Sequence, residues 1–306
     1  MIIRGKLLGR AAAVAGVVLA LVSTGIAQAS VPQSETLSGV SGTGIKYVAL
    51  GDSRASGPRL EPMYPDACSR SYENFAGKIS RALEVAEFAD VSCSAARAEN
   101  IIDTPQLIPN YWPVQLIPNY WPVQLDAVHP DTDLITISIG GNDSNSIFLG
   151  PLCVAPGPGT DRGCRYDPLA NSVAQSGIDR AAGELDRILT AVTQRAPNAR
   201  IYLIGEGGMI SSRGCWPNIP FSDADASWFM DYFARYNTKF DEVAHAHGVR
   251  TVDIAAASIA GGHDACASAD QRWFEGLFSE STAQRLHFTD AGMTAVADLV
   301  VADVQG

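Results

Sequence analysis

The chain has 306 residues, with 22 basic residues against 33 acidic ones and a formal charge of −11 at pH 7. An acidic balance of that size excludes nucleic acid and anionic membrane as electrostatic partners. It leaves the fold class open, and the length suits one α/β domain with a sizeable core.

Residues 1–29 read as a signal peptide. Arg4, Lys6 and Arg10 precede an uncharged, mostly apolar stretch from Ala11 to Ile26, and Ala27-Gln28-Ala29 has the small-x-small form of a cleavage site. The apolar stretch is short for a membrane span, and no cysteine follows to anchor a lipid. Export with cleavage near Ala29 is expected, so the protein should be secreted and extracellular. Residues 30–44 are rich in Ser, Gly and Thr and read as a flexible lead-in. Residues 45–306 should then form a single domain.

Within that domain short apolar runs alternate with helical patterns. Candidate strands are Lys46–Leu50, Phe88–Ser92, Asp133–Ile139, Arg200–Gly205 and Val249–Ile254. Helical spacing recurs in Tyr72, Phe75, Ile79, Ala82 and Leu83. It recurs again in Ile178, Ala182, Leu185, Leu189 and Val192, and in Phe229, Phe233, Tyr236, Phe240 and Val243. A last helix should start near Thr289. The alternation predicts a doubly wound, mostly parallel five-stranded sheet with helices on both faces, an α/β/α arrangement of flavodoxin type.

Residues 106–123 interrupt the pattern: "QLIPNYWPV" occurs twice in succession. Pro109, Pro113, Pro118 and Pro122 forbid a regular helix or central strand there. One reading is a tandem duplication looped out at the surface, where insertions cost little. The other is an aromatic flap that makes transient contact with a lipid surface or a lipid-like substrate.

Cys68, Cys93, Cys153, Cys164, Cys215 and Cys266 all lie beyond the leader. An even count in an exported chain reads as disulfides, and among fifteen possible pairings sequential pairing is the simplest. No two cysteines have the close spacing of a zinc site, so no metal is expected.

In an open parallel sheet the ligand binds beyond the carboxyl ends of the strands. The first strand delivers Gly51-Asp52-Ser53, the second Cys93-Ser94-Ala95-Ala96, and the third Gly140-Gly141-Asn142-Asp143. With strand order 2-1-3 these turns converge. A serine hydroxyl needs a base to take its proton, and attack on an ester creates an oxyanion that needs preorganised donors. The backbone amides of Ser53 and Ala95 and the side-chain amide of Asn142 are the candidate donors. Of five histidines, His129 lies in a pre-strand turn, His245 and His247 near a helix end, and His263 beside a cysteine. His287, in "RLHFTDAG", precedes the last helix, from where a base can return to the first strand.

The ordered set "GDS", "CSAA", "GGND" and "HFTDAG" resembles the SGNH hydrolases, also called GDSL esterases and lipases. With "HDACASADQRW" (His263–Trp273) it looks most like their secreted, three-disulfide actinobacterial branch. The resemblance implies the SGNH hydrolase fold, Ser53 as nucleophile, His287 as base, Asn142 as oxyanion donor and sequential disulfide pairing. Three positions depart from the family pattern. Ala95 replaces a glycine, which narrows the oxyanion hole by a methyl group. Arg54 replaces the usual Tyr or Leu, a cation that could favour an anionic or phosphate-bearing substrate. Gln284 stands where many members carry the aspartate that orients the base. A Ser-His dyad is therefore expected, oriented by the side-chain or main-chain carbonyl of Gln284, with Asp290 as a less favoured substitute.

The expected function is a secreted serine ester hydrolase of esterase or lipase type, acting on small-molecule or lipid esters as a monomer without a cofactor. Phospholipase or glycan O-deacetylase activity at the same site is the alternative substrate assignment. A catalytically silent lipid- or carbohydrate-binding relative is the alternative class, to which Ala95 and Gln284 lend some support.

Overall fold

The computed structural model describes residues 44–108, 119–278 and 283–306. The leader, almost all of the lead-in and the centre of the duplicated segment lie outside the described residues. The strands are β1 (Lys46–Gly51), β2 (Glu87–Asp90), β3 (Gln106–Ile108), β4 (Asn119–Trp121), β5 (Leu134–Ser138), β6 (Arg200–Ile204) and β7 (Arg250–Val252). The helices are α1 (Ser53–Ser56), α2 (Phe75–Ala82), α3 (Ala98–Ile102), α4 (Leu149–Cys153), α5 (Pro168–Arg195), α6 (Asp223–Ala246), α7 (Ile254–Gly261) and α8 (Asp290–Gln305).

Five strands form one parallel sheet in the order β2-β1-β5-β6-β7. The sequence pattern explains the order of burial. KYVALG, LITIS and RIYLI are near-continuous apolar runs, and the three strands they form are buried along almost their whole length in the middle of the sheet. Parallel strands covered on both faces need that composition. The edge strands β2 and β7 are shorter and partly exposed. Helix α2 packs on α8, while α5 packs on α6 and α3.

The order reverses between β1 and β5, so a crevice opens beyond their carboxyl ends. Gly51 ends β1 opposite Ser138 of β5. Any side chain there would run into the Ser138 carbonyl, which is why the strand ends in glycine. Gly140 has φ 120°, and a side chain at that position would strike the Tyr236 hydroxyl.

Two local expectations need correction. The candidate fifth strand stops at Val252, because Asp253 caps a helix through its carboxylate, which accepts from the Ala256 amide at 2.9 Å; Ile254 is the first residue of α7. The described ends of the duplicated segment are not plain loop but form strands β3 and β4. Gln106, Leu107 and Ile108 pair antiparallel with Trp121, Tyr120 and Asn119. This ribbon sits on the Cys68–Cys93 disulfide through Ile108 and Trp121, and the Trp121 indole donates to the Val91 carbonyl at 3.1 Å.

Candidate active site

Ser53 opens α1, and the residue before it is the helix cap: Asp52 Oδ1 accepts from the Arg54 amide at 2.9 Å. The end of β1 is clamped by Gln124, whose side chain accepts from the Gly51 amide at 2.8 Å and donates to the Gly51 carbonyl at 2.9 Å. Ser53 is thereby held at a fixed strand-to-helix step. Nothing in "VQLDAV" marks Gln124 for that task.

His287 Nε2 lies 2.7 Å from Ser53 Oγ. The other ring nitrogen, Nδ1, lies 2.7 Å from the main-chain carbonyl oxygen of Arg285. A carbonyl can only accept, so Nδ1 carries the proton and Nε2 is free to accept from the serine hydroxyl. The carbonyl reaches back two residues because Leu286 has φ 61°, in the left-handed region.

This geometry corrects the expectation for Gln284. Its carbonyl accepts from the His287 backbone amide at 3.1 Å and its own amide donates to the Pro58 carbonyl at 3.2 Å, while its side chain is exposed. Asp290 is occupied elsewhere, 2.8 Å from Lys78 Nζ. Among the other histidines, His263 Nδ1 bonds the Gln271 carbonyl while its ring stacks on Trp273. His247 pairs with Asp186 at 2.8 Å.

The second and third turns close on the first. Ser94 Oγ lies 3.0 Å from Ser56 Oγ, and the Cys68–Cys93 disulfide holds the base of that turn. Cys153–Cys164 and Cys215–Cys266 complete the sequential pairing. Asn142 Nδ2 donates to the Ala96 carbonyl at 3.0 Å, which fixes the plane of the amide. Its contact with Asp52 Oδ2 is 3.5 Å, too long for a strong bond, so one amide hydrogen remains available. Ala95 has φ 68°. The position where the resemblance implies a glycine thus takes a left-handed backbone here despite the Cβ, a conformation that costs an alanine about 1–2 kcal/mol.

Arg54 does not present a cation to the site. It is buried, with Nε 3.6 Å from Glu206 Oε2, Nη2 donating to the Gly205 carbonyl at 3.2 Å, and its guanidinium 4.5 Å from the Phe288 ring centroid. The expected preference for an anionic substrate therefore loses its basis. Burial and, after it, mutual repulsion raise the Asp52 carboxyl above the ordinary carboxylate range; burial also raises Glu206, against the pull of Arg54. His287 moves the other way. Burial, and then the Arg54 charge, hold its imidazole down at about 4, against the raising effect of the Arg285 carbonyl. A neutral imidazole facing a serine hydroxyl is the state a general base requires.

A cleft of about 640 Å³ opens at the β7 edge, lined by residues that include Tyr202, His245, Arg250 and Asp303. It shares no residue with the Ser53 site and has no nucleophile–base pair. Among the described residues no group of three or more His, Cys, Asp or Glu side chains could hold a metal ion.

Comparison with known proteins gives a consistent answer. Residues 49–295 match the GDSL-like Lipase/Acylhydrolase family. Lipase 2 of Streptomyces coelicolor is 28% identical over 263 residues, covering 83% of this chain and 84% of the relative. Lipase 1 of the same organism is 25% identical over 252 residues, covering 81% and 82% respectively. Two solved structures share the fold. Phospholipase A1 from Streptomyces albidoflavus has a TM-score of 0.66 at 22% identity, covering 86% of this chain and all of its own. The extracellular lipase from Streptomyces rimosus has a TM-score of 0.66 at 23% identity, with the same coverage. The chain belongs to the GDSL (SGNH) lipase and acylhydrolase family and is an ester hydrolase.

Proposed function

We propose that the protein is a secreted lipase-type hydrolase of acyl esters that works through a Ser53–His287 dyad. The observation that carries the reading is the 2.7 Å approach of His287 Nε2 to Ser53 Oγ, with Nδ1 bonded to a carbonyl on the far side of the ring. In the proposed cycle His287 takes the serine proton as Oγ attacks the acyl carbon. The Ser53 and Ala95 amides and the Asn142 side chain receive the oxyanion. His287 then returns the proton to the departing alcohol, and water, deprotonated by the same imidazole, releases the acid. The Arg285 carbonyl fixes the tautomer but supplies no full negative charge to the imidazolium, so it takes over only part of a triad carboxylate's work. Secretion is supported by the leader-like residues 1–29, three disulfides and an extracellular relative.

The test is a p-nitrophenyl ester series from acetate to palmitate, run on purified protein beside Ser53→Ala. Turnover that falls by ~10³-fold or more in the variant is expected. Equal background in both would replace the enzyme with a silent ligand-binding relative.

A further inference from the structure

From Ser144 to Thr160 the chain carries no charged residue, an unusual run for a surface segment of a protein with net charge −11. The run begins two residues after the proposed oxyanion donor Asn142. Ser144 and Ser146 hydroxyls donate to the Gly141 carbonyl at 3.0 and 3.2 Å, which ties the segment to the turn that carries Asn142. Immediately beyond, Ile147 and Phe148 point outward with 70% and 64% of their surface exposed. Helix α4 follows and is joined by the Cys153–Cys164 disulfide to the next turn, where Tyr166 is 76% and Leu169 60% exposed. Helices α4 and α5, which carry these residues or adjoin them, pack against each other.

This face is rigid. Buried Asp225 accepts from the amides of Gly163, Cys164 and Arg165 and from the Arg165 guanidinium at 2.8 Å, and that guanidinium lies 4.3 Å from the Tyr166 ring centroid. A second apolar group flanks the site on the histidine side, where exposed Phe278 faces the guanidinium of Arg285. Four large apolar side chains held out on a fixed frame exceed the scattered exposure ordinary for a soluble surface. Their types suit a lipid boundary: Phe, Ile and Leu enter the acyl region, while Tyr keeps its hydroxyl among head groups.

We propose that Ile147, Phe148, Tyr166 and Leu169 form a docking face for a zwitterionic lipid surface, seating the catalytic crevice on its substrate. The occupant follows from charge. The run carries no cation. The two arginines between it and Leu169, Arg162 and Arg165, are matched by Asp161 and Asp167, and Arg165 is paired with Asp161 and Asp225. The protein's net negative charge repels anionic lipid. A zwitterionic surface offers the same acyl region without that penalty. The inference rests on the ester-hydrolase reading of Ser53 for its purpose but not for its measurement.

The experiment uses the full protein with Ser53→Ala, so that lipid is not consumed, sedimented with phosphatidylcholine vesicles. Vesicle affinity should fall by at least about tenfold in Tyr166→Asp/Leu169→Asp and in Ile147→Asp/Phe148→Asp, since each pair removes two buried apolar anchors. In the Ser53 background Tyr166→Asp/Leu169→Asp should turn over soluble p-nitrophenyl acetate at the parent rate but lose activity on vesicles. Unchanged vesicle affinity in both variants overturns the proposal. So does binding confined to anionic vesicles, or a change of oligomeric state in light scattering without a change in vesicle affinity, which would make the face a contact between two copies. Failure of the ester-hydrolase reading shows separately, as absence of acetate turnover in the Ser53 protein with vesicle binding intact.

Discussion

The Arg285 carbonyl oxygen holds His287 Nδ1 at 2.7 Å, and it does so across a residue in the left-handed region, Leu286. The orientation of the proposed base is therefore a property of the main chain. Removing side chains on either side of that bond, Gln284→Ala or Arg285→Ala, should leave ester turnover within about twofold, because neither side chain makes it. Leu286→Pro cannot adopt the positive φ and should displace the carbonyl, lowering kcat by ~10²-fold or more. Steady-state kinetics on a soluble ester, with circular dichroism to establish folding, checks both. A loss in Gln284→Ala as large as that in His287→Ala would return the orienting role to the glutamine side chain.

The position of the acid limb of kcat/KM follows from the imidazole. An ordinary histidine would lose its basic form below about 6.5; here burial and the Arg54 charge put the midpoint at about 4. The expected profile is flat from neutrality down to about pH 5, and a midpoint between 6 and 7 would contradict it. Folding stability carries two opposing slopes. The depressed His287 stabilises the fold above its unfolded pKa, and this is lost as pH falls from 6.5 towards 4. The raised Asp52 contributes in full below its unfolded value of 3.8, and that is lost as pH rises through its higher folded pKa. Asp52→Asn, which retains a capping oxygen, should remove the second slope and flatten urea-melt stability on the alkaline side.

At Ala95 the methyl group and the φ of 68° are in conflict. Ala95→Gly relieves ~1–2 kcal/mol of left-handed strain and gives back ~0.4–1 kcal/mol in unfolded-state entropy. The net expectation is a gain in stability of about 0–1.6 kcal/mol, with no loss of turnover, since the amide is unchanged and the hole is wider. A clear drop in Tm would mean that the Cβ makes contacts that outweigh the strain.

Much of the architecture was legible because the central strands are near-continuous apolar runs, and the turns after them carry Ser53 and Asn142 within two residues of a glycine. What was not legible has particular causes. Helices α3 and α4 span five residues each, too few for a periodic signal, and α7 (IAAASIAG) is small or apolar all round, so it shows no polar face to set the period. The orienting group of His287 is a backbone atom, which no residue pattern encodes. Arg54 follows the serine in sequence, but the turn into α1 sends it inward to Glu206. Gln124 reaches Gly51 across 73 positions, a contact only the folded chain reveals.

The duplicated segment offers a final test, because its two copies contribute unequal parts. The first supplies Gln106-Leu107-Ile108 and the second Asn119-Tyr120-Trp121. Excising one nine-residue copy leaves a single "QLIPNYW", in which both strands would be joined by one proline. A hairpin needs at least a two-residue loop, so the ribbon cannot re-form, even though all its residue types survive. The five-stranded sheet does not include it and should fold. The contacts at risk are local: the Trp121 indole on the Val91 carbonyl and the Gln106 amide on the Ser94 carbonyl at 2.7 Å. Loss of these two bonds, at about 1 kcal/mol each, together with the packing of Ile108 and Trp121 on the Cys68–Cys93 disulfide, should lower stability by at least about 2 kcal/mol. Turnover should fall only a few-fold, because Ser94 also holds Ser56 and the disulfide at Cys93 remains. Urea unfolding and acetate-ester kinetics on the excised protein measure both, and abolished activity in a folded variant would give the ribbon a direct part in the site.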